Sequence, residues 1–155
     1  MRRAYLSLGT NIGDRYEHLA SAIPVVAGAD DYRLSQVYET EPVGGVDQDD
    51  FWNLVVELTT SATAYELLER ARWAEAAAGR TREVRWGPRT LDVDVLLVGD
   101  EVLDDPELTI PHPRLYERAF VLVPLAELAP ELVSAEQRAR AVGAVRELGT
   151  LQSLH

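Results

Sequence analysis

Apolar and polar residues alternate over residues 4–8 (Ala-Tyr-Leu-Ser-Leu), the period of a half-buried strand. The turn Gly9-Thr10-Asn11-Ile12-Gly13-Asp14 then carries the glycines and capping side chains of a strand-to-helix junction. Tyr16, Leu19, Ala20, Ile23, Val26 and Ala27 recur at helical spacing, and Pro24 inside that pattern is expected to kink the helix or end it early. Tyr32 to Tyr38 reads as a second strand, leading into an acidic, glycine-bearing loop from Glu39 to Asp50. Trp52 to Thr60 alternates again, with Leu54, Val56 and Leu58 on one face.

Thr63 with Glu66 forms the signature of a capping box. It opens a second helix with the stripe Leu67, Ala71, Ala74 and Ala78, stopped by Gly79. Glu75 lies at the edge of this stripe, and spacing leaves two readings open. It is either a helix-end carboxylate beside Arg72 or Arg80, or a polar group aimed at a ligand. Asp92 to Val98 reads as a buried strand followed by a Gly99-Asp100 turn, with Val102-Leu103 as a short hairpin partner. Pro111-His112-Pro113 is expected to open a short helix. Phe120 to Leu125 is apolar, and Ala135 to Leu148 is a further helix candidate. The order β, α, β, β, α, β fits an α/β ferredoxin-like sandwich, a mostly antiparallel sheet flanked by helices.

Length and composition narrow the class. At 155 residues the chain suits a single domain over 1–155, with room for a core. Without cysteine it has neither a disulfide framework nor a thiolate metal site. No apolar run is long enough to cross a bilayer, and the short run after Met1-Arg2-Arg3 reads as a first strand rather than a signal peptide, so a cytoplasmic location is expected. The net charge of −11 argues against nucleic-acid binding. All 15 basic side chains are arginine, which removes the lysine of a Walker-type loop, so phosphate would be held by arginine forks, backbone N–H groups or metal. No interface is legible, and a monomer is expected.

The charge is unevenly distributed. Residues 79–89 carry four arginines (Arg80, Arg82, Arg85, Arg89) and one glutamate, whereas residues 92–107 carry seven acids and no base. Most such runs are solvated loops. Here, however, Asp92 and Asp94 sit two apart on a strand, so both carboxylates point to one side, about 7 Å apart at Cα. Two hard anions beside guanidinium forks suit a polyphosphate carrying divalent metal. His112, held between prolines, is either a surface histidine or a donor to a phosphate oxygen, with Arg118 about one and a half turns onward. Phe51 and Asn53 share a strand face, where an aromatic beside an amide can stack on and hydrogen-bond a planar heterocycle. Phe51, Trp52, Trp86 and Phe120 also suit a core.

The string Arg85-Trp86-Gly87-Pro88-Arg89-Thr90-Leu91-Asp92-Val93-Asp94-Val95-Leu96 resembles the signature of the 6-hydroxymethyl-7,8-dihydropterin pyrophosphokinase family of folate biosynthesis. Further pieces follow in family order. They are residues 7–14, Tyr38-Glu39-Thr40-Glu41-Pro42, Gln48 with Phe51 and Asn53, Glu75 with residues 79–82, Pro111-His112-Pro113, Arg118 and Phe120. The resemblance spans about residues 4 to 133. Thr10 stands where serine is commoner, the loop between Arg82 and Arg85 is a residue shorter than in some relatives, and Glu107 takes a position that is basic in others.

The resemblance implies transfer of a whole diphosphate from ATP, the substrate, to the hydroxymethyl oxygen of the dihydropterin, with AMP leaving. Asp92 and Asp94 would hold two Mg²⁺ ions. Arg80 and Arg89 would reach the transferring group. Glu75, Arg82, Arg85, Trp86, Thr109, His112 and Arg118 would serve the nucleotide and its phosphates. The pterin would stack between Phe51 and Phe120 and be read by Asn53, Thr40 and backbone near Pro42 and Val43. A non-catalytic ferredoxin-like module that binds a small molecule is the alternative from another class, and a two-metal nuclease or phosphatase is a further one.

Overall fold

The computed structural model describes residues 1–41, 49–79 and 91–155. Its first strand, β1 (Arg2–Thr10), is flanked by β4 (Phe51–Thr60) and β5 (Asp92–Val98), both antiparallel to it. On the far side of β4 lie β2 (Asp31–Leu34) and β3 (Val37–Thr40), which share one lane. A last strand, β8 (Val145–Gly149), adds to the outer edge of β3 and gives the order β5-β1-β4-β3-β8. The expected α/β sandwich with an antiparallel sheet is therefore present.

Helices α1 (Arg15–Ala27) and α2 (Ala64–Ala77) cover one face. Leu19, Ile23, Val26, Leu67, Ala71 and Ala74 meet Leu6, Leu8, Leu54, Val56, Leu58, Val93 and Val95 there, all buried. Each fully buried leucine contributes roughly 1.5–3 kcal/mol. Asp14 caps α1 by accepting from the Glu17 N–H, and Thr63 caps α2 by accepting from the Glu66 N–H. Helix α3 (Ala119–Leu128) packs on the opposite face over Tyr5, Val55 and Leu96, through Val121, Leu122 and Leu125.

Five local expectations are corrected. α1 does not end early at Pro24 but runs through it, with Pro24 on the exposed side while Leu19, Ile23 and Val26 bind the helix to the core. The strand expected over Tyr32–Tyr38 breaks at Ser35 and Gln36. The Ser35 hydroxyl accepts the Val55 N–H (2.9 Å) and Glu127 accepts the Gln36 N–H, so side chains take over at the interruption. Leu103 does not pair with β5. β6 (Leu103–Asp104) pairs instead with β7 (Thr109–Ile110) in a sheet of its own. Pro111–Pro113 opens no helix, only successive turns closed by Leu115 N–H to His112 carbonyl and Glu117 N–H to Arg114 carbonyl bonds. The tail helix stops early: α4 (Ala135–Arg140) is followed by Gly143 at φ +113° and then by β8, because the unpaired edge of β3 offers a ladder. Among the described residues no helix is long and apolar enough to cross a membrane.

Candidate active site

α3 covers only part of its sheet face. Beyond its N-terminus the same face is, among the described residues, the floor of a cleft of about 1300 Å³. Register determines what lies on that floor. Asp92 pairs with Gly9 and Gly9 with Asn53, so a carboxylate, a glycine and an amide form one row across three strands. Asp94 pairs with Ser7 in the next row. With strands about 4.8 Å apart, the row places Asp92 and Asn53 about 10 Å from each other. Asp92 and Asp94 share the face of Leu96, which meets α3, whereas Val93 and Val95 point into the main core. The alternation seen in sequence thus aims both acids into the cleft, half-exposed.

The outer edge of β5 needs partners, and two site residues supply them. Glu75 on α2 accepts the Val93 N–H through Oε2 at 3.0 Å, so its carboxylate clamps the backbone between the two aspartates. Neither sequence reading of Glu75 foresaw this, since strand-edge pairing leaves no trace in helical spacing. The His112 N–H donates to the Leu96 carbonyl at 3.0 Å, which seats the imidazole over β5. Its Nδ1 accepts the Arg114 N–H at 3.2 Å, so a neutral ring carries its proton on Nε2. That Nε2 lies 3.7 Å from Asp94 Oδ1 and faces the cleft.

Arg118 precedes the first turn of α3, with its guanidinium 5.5 Å from the Phe120 ring centroid. Burial and the nearby Arg114 draw its pKa below the usual arginine value, while Asp94, Glu117 and Asp92 oppose that shift. It stays cationic in the working range. Arg114 also lines the cleft, a cation the sequence reading did not single out, although it follows the Pro-His-Pro motif directly.

The other wall is aromatic and amide-bearing. Asn53, 5% exposed, donates through Nδ2 to the Thr40 hydroxyl at 3.0 Å, a bond between neighbouring strands that fixes the amide plane. Phe51 pairs with Thr40 in register, and Phe51 and Phe120 both line the cleft. Thr109 lies outside this lining. It borders an adjoining hollow of about 240 Å³ that shares Asp94, His112 and Glu107 with the cleft. Arg80, Arg82, Arg85, Trp86, Arg89, Pro42, Val43 and Gln48 fall outside the described residues.

The chemistry of the two aspartates fits Mg²⁺, which takes hard oxygen ligands and is commonly held by one or two carboxylates plus substrate phosphates. Among the described residues no cluster of three or more acidic or imidazole side chains is placed to hold a metal ion.

Residues 5–130 match the family model described as 7,8-dihydro-6-hydroxymethylpterin-pyrophosphokinase. The chain belongs to that family. It is 48% identical over 132 residues to the 2-amino-4-hydroxy-6-hydroxymethyldihydropteridine pyrophosphokinase of Bacillus subtilis, covering 83% of this chain and 79% of the relative. The enzyme of the same name from Methylorubrum extorquens is 48% identical over 143 residues, covering 90% of each. The crystal structure of Plasmodium falciparum HPPK-DHPS shares the fold at 18% identity and a TM-score of 0.58, over 84% of this chain and 40% of that one.

For a pyrophosphokinase, Gly9 at the centre of the floor is a residue that sequence reading placed in a turn and in the family pattern but assigned no role in the site. A Cβ built there would lie 2.7 Å from Asn53 Oδ1, closer than real contacts allow. Gly9→Ala is expected to push the Asn53 amide off its Thr40 bond. It should weaken dihydropterin binding about tenfold or more while changing nucleotide affinity less than twofold. Titration of the two ligands separately checks this, and equal losses would count against a dedicated role for the amide.

Proposed function

We infer that Asp92, Asp94 and the row joining them to Asn53 carry the diphosphate transfer characteristic of the family. The chain is a 2-amino-4-hydroxy-6-hydroxymethyldihydropteridine diphosphokinase: it transfers diphosphate from ATP to the hydroxymethyl group of 6-hydroxymethyl-7,8-dihydropterin, releasing AMP, in folate biosynthesis. The observation that supports the assignment of residues is the register that sets two carboxylates about 10 Å from a fixed amide on one floor. A fused two-ring heterocycle with a hydroxymethyl arm spans most of that gap.

In this reading Asn53, held by Thr40, reads the polar edge of the pterin, and Phe51 and Phe120 take its two faces. The hydroxymethyl oxygen then lies toward Asp92 and Asp94. Those carboxylates would hold two Mg²⁺ ions, which would supply charge compensation on the phosphate oxygens. His112 donates from Nε2, a direction imposed by the Arg114 N–H on its other nitrogen. Arg118 and Arg114 face the same oxygens from the α3 side. Glu75 keeps β5 in place so that the two acids hold their spacing. Thr109 and Glu75 border the nucleotide, and Arg80, Arg82, Arg85, Trp86, Arg89, Pro42 and Val43 complete the site as the family resemblance implies. Attack of the alcohol oxygen on the β-phosphorus breaks the α–β bridge. The α-phosphate leaves on AMP, and the β- and γ-phosphates stay together on the pterin.

Mass spectrometry after incubation with ATP, Mg²⁺ and the dihydropterin is expected to find AMP and a pterin carrying two phosphates. ADP with a monophosphorylated pterin would overturn the reading. In separate titrations of the two ligands Phe51→Ala should raise the dihydropterin dissociation constant about tenfold, the loss of one stacking surface, with ATP affinity nearly unchanged. Equal losses for both ligands would remove Phe51 from the ring site.

A further inference from the structure

The family match ends at residue 130, yet residues 142–146 form a wall of the cleft. This short segment is fastened at both ends to elements that hold opposite sides of the ring site. At one end the Val142 N–H donates to the Glu117 carbonyl at 2.8 Å, and the Val142 carbonyl accepts the Ala119 N–H at 3.1 Å. Those bonds clasp the backbone on both sides of Arg118, two residues before Phe120. At the other end Val145 pairs with Thr40 and Arg146 with Glu39 on β3, and the Arg146 guanidinium forms an ion pair with Glu39. Thr40 in turn holds Asn53, and Glu39 accepts from the Trp52 indole N–H on β4.

Three residue steps separate Val142 from Val145. An extended chain covers at most about 3.3–3.6 Å per step, so the two anchors can lie no more than about 10–11 Å apart. A flat ring between two others needs about 7–8 Å between the outer planes, two layers at carbon contact distance. The tether and the gap it spans are thus of one scale. The side chain of Val142 is mostly solvent-exposed, so what the segment supplies there is backbone rather than packing.

We propose that residues 142–146 are a positioning strap that sets the separation between the Phe120 side and the Thr40–Asn53 side of the pterin pocket. The inference rests on the reading that Phe51, Asn53 and Phe120 face the pterin. Strand β8 also covers an open sheet edge, which by itself would make it a stability element. A strap adds an effect specific to one ligand. Among the described residues, contacts assigned to the nucleotide come from α2, β5, β7 and the turns after it, and the strap's hydrogen bonds and ion pair reach these only at the backbone flanking Arg118.

Inserting two glycines between Gly143 and Ala144 lengthens the tether and leaves both anchors intact. With α,β-methylene-ATP and Mg²⁺ present, the dihydropterin dissociation constant is expected to rise about tenfold, that of the nucleotide analogue by less than threefold, and the thermal midpoint to stay within a few degrees. Gly143→Ala is the second variant. Its φ of +113° disfavours any side chain, while nothing lies within 4 Å of the added Cβ, so the substitution alters the strap without a clash. It should produce a smaller loss, about threefold, again confined to the pterin, and it decides the matter if the insertion does not fold. Unchanged pterin affinity in folded variants, or equal losses for both ligands, would overturn the strap. If Phe51→Ala also leaves pterin affinity unchanged, the underlying ring-site reading fails. If Phe51→Ala weakens the pterin and the strap variants do not, the strap alone fails.

Discussion

Asp94→Ala is expected to yield a folded protein with turnover reduced at least 1000-fold, and Asp92→Ala the same. The case begins with the strand. Side chains at 92, 94 and 96 share a face, and where Leu96 meets α3 the two acids extend beyond its N-terminus onto open floor. Asp94 is half-exposed, and its ion-pair contact among the described residues is His112 Nε2 at 3.7 Å, so its removal strands no buried charge. Substitutions at such positions usually change stability by less than about 0.5–1 kcal/mol. Their chemical role is different. Metal-borne compensation of phosphate charge is worth several kcal/mol in the transition state, and 1000-fold corresponds to about 4 kcal/mol. AMP release measured at saturating ATP and dihydropterin, alongside a thermal melt, separates the two effects. A variant within tenfold of the parent would refute the ligand assignment. Partial recovery at high Mg²⁺ with Asp94→Asn, which keeps one oxygen in place, would support it.

The converse result, a large loss of stability with catalysis unchanged, is expected at Arg33. Glu57 is buried on the α3 face at 4% exposure, where an unpaired carboxylate is costly. Arg33 meets it with a fork, Nε to Oε1 at 2.8 Å and Nη2 to Oε2 at 2.9 Å, and Nη2 also donates to the Leu128 carbonyl at the end of α3. The Tyr5 hydroxyl donates to Oε2 at 2.8 Å. Arg33 thus ties the Glu57 carboxylate, which Tyr5 also reaches, to the end of α3. Arg33, followed by the Tyr5 hydroxyl, holds the Glu57 pKa below its ordinary 4.5 against the opposing effect of burial. Burial and the same carboxylate push the Tyr5 phenol above its usual range.

Removing one partner of a buried pair costs about 3–5 kcal/mol. Because the Arg33 side chain is more than half exposed, water replaces part of the loss, and about 2–3 kcal/mol is expected for Arg33→Ala. For a chain of this size that is roughly 5–10 °C in thermal midpoint. The pH dependence has a definite sign. A carboxyl with a depressed folded pKa contributes stability above its unfolded value, and that contribution is lost as pH falls through the folded value. The gap between parent and Arg33→Ala should therefore be full above about pH 5 and narrow steadily in more acid solution. Melts across that range check the prediction, and a gap that widened on acidification would contradict it. Turnover at 25 °C should be unaltered, since Glu57 and Arg33 lie outside the cleft lining.

Much of this protein is readable before any coordinates, because period and capping are local properties. The alternation in Trp52–Thr60, the α2 stripe Leu67-Ala71-Ala74 and the Thr63 cap depend on residues within a turn or two, and all three hold. The same-sided placement of Asp92 and Asp94 follows from the two-residue period of a strand alone, and their link to phosphate chemistry from the motif around them. Tertiary structure decided wherever a backbone group needed a partner from elsewhere. Residues 145–149 have no stronger strand pattern than a helical one, and they become β8 because β3 presents unpaired groups. The break at Ser35 is tolerated because Val55 and Glu127 satisfy it from other elements. Glu75 became a clamp on Val93 because β5 lies at the edge of the sheet. The cleft itself arises from the length and position of α3, which covers Leu96 and stops short of Asp94. Side-chain direction is written in the chain, but which faces remain uncovered depends on how far each neighbour reaches.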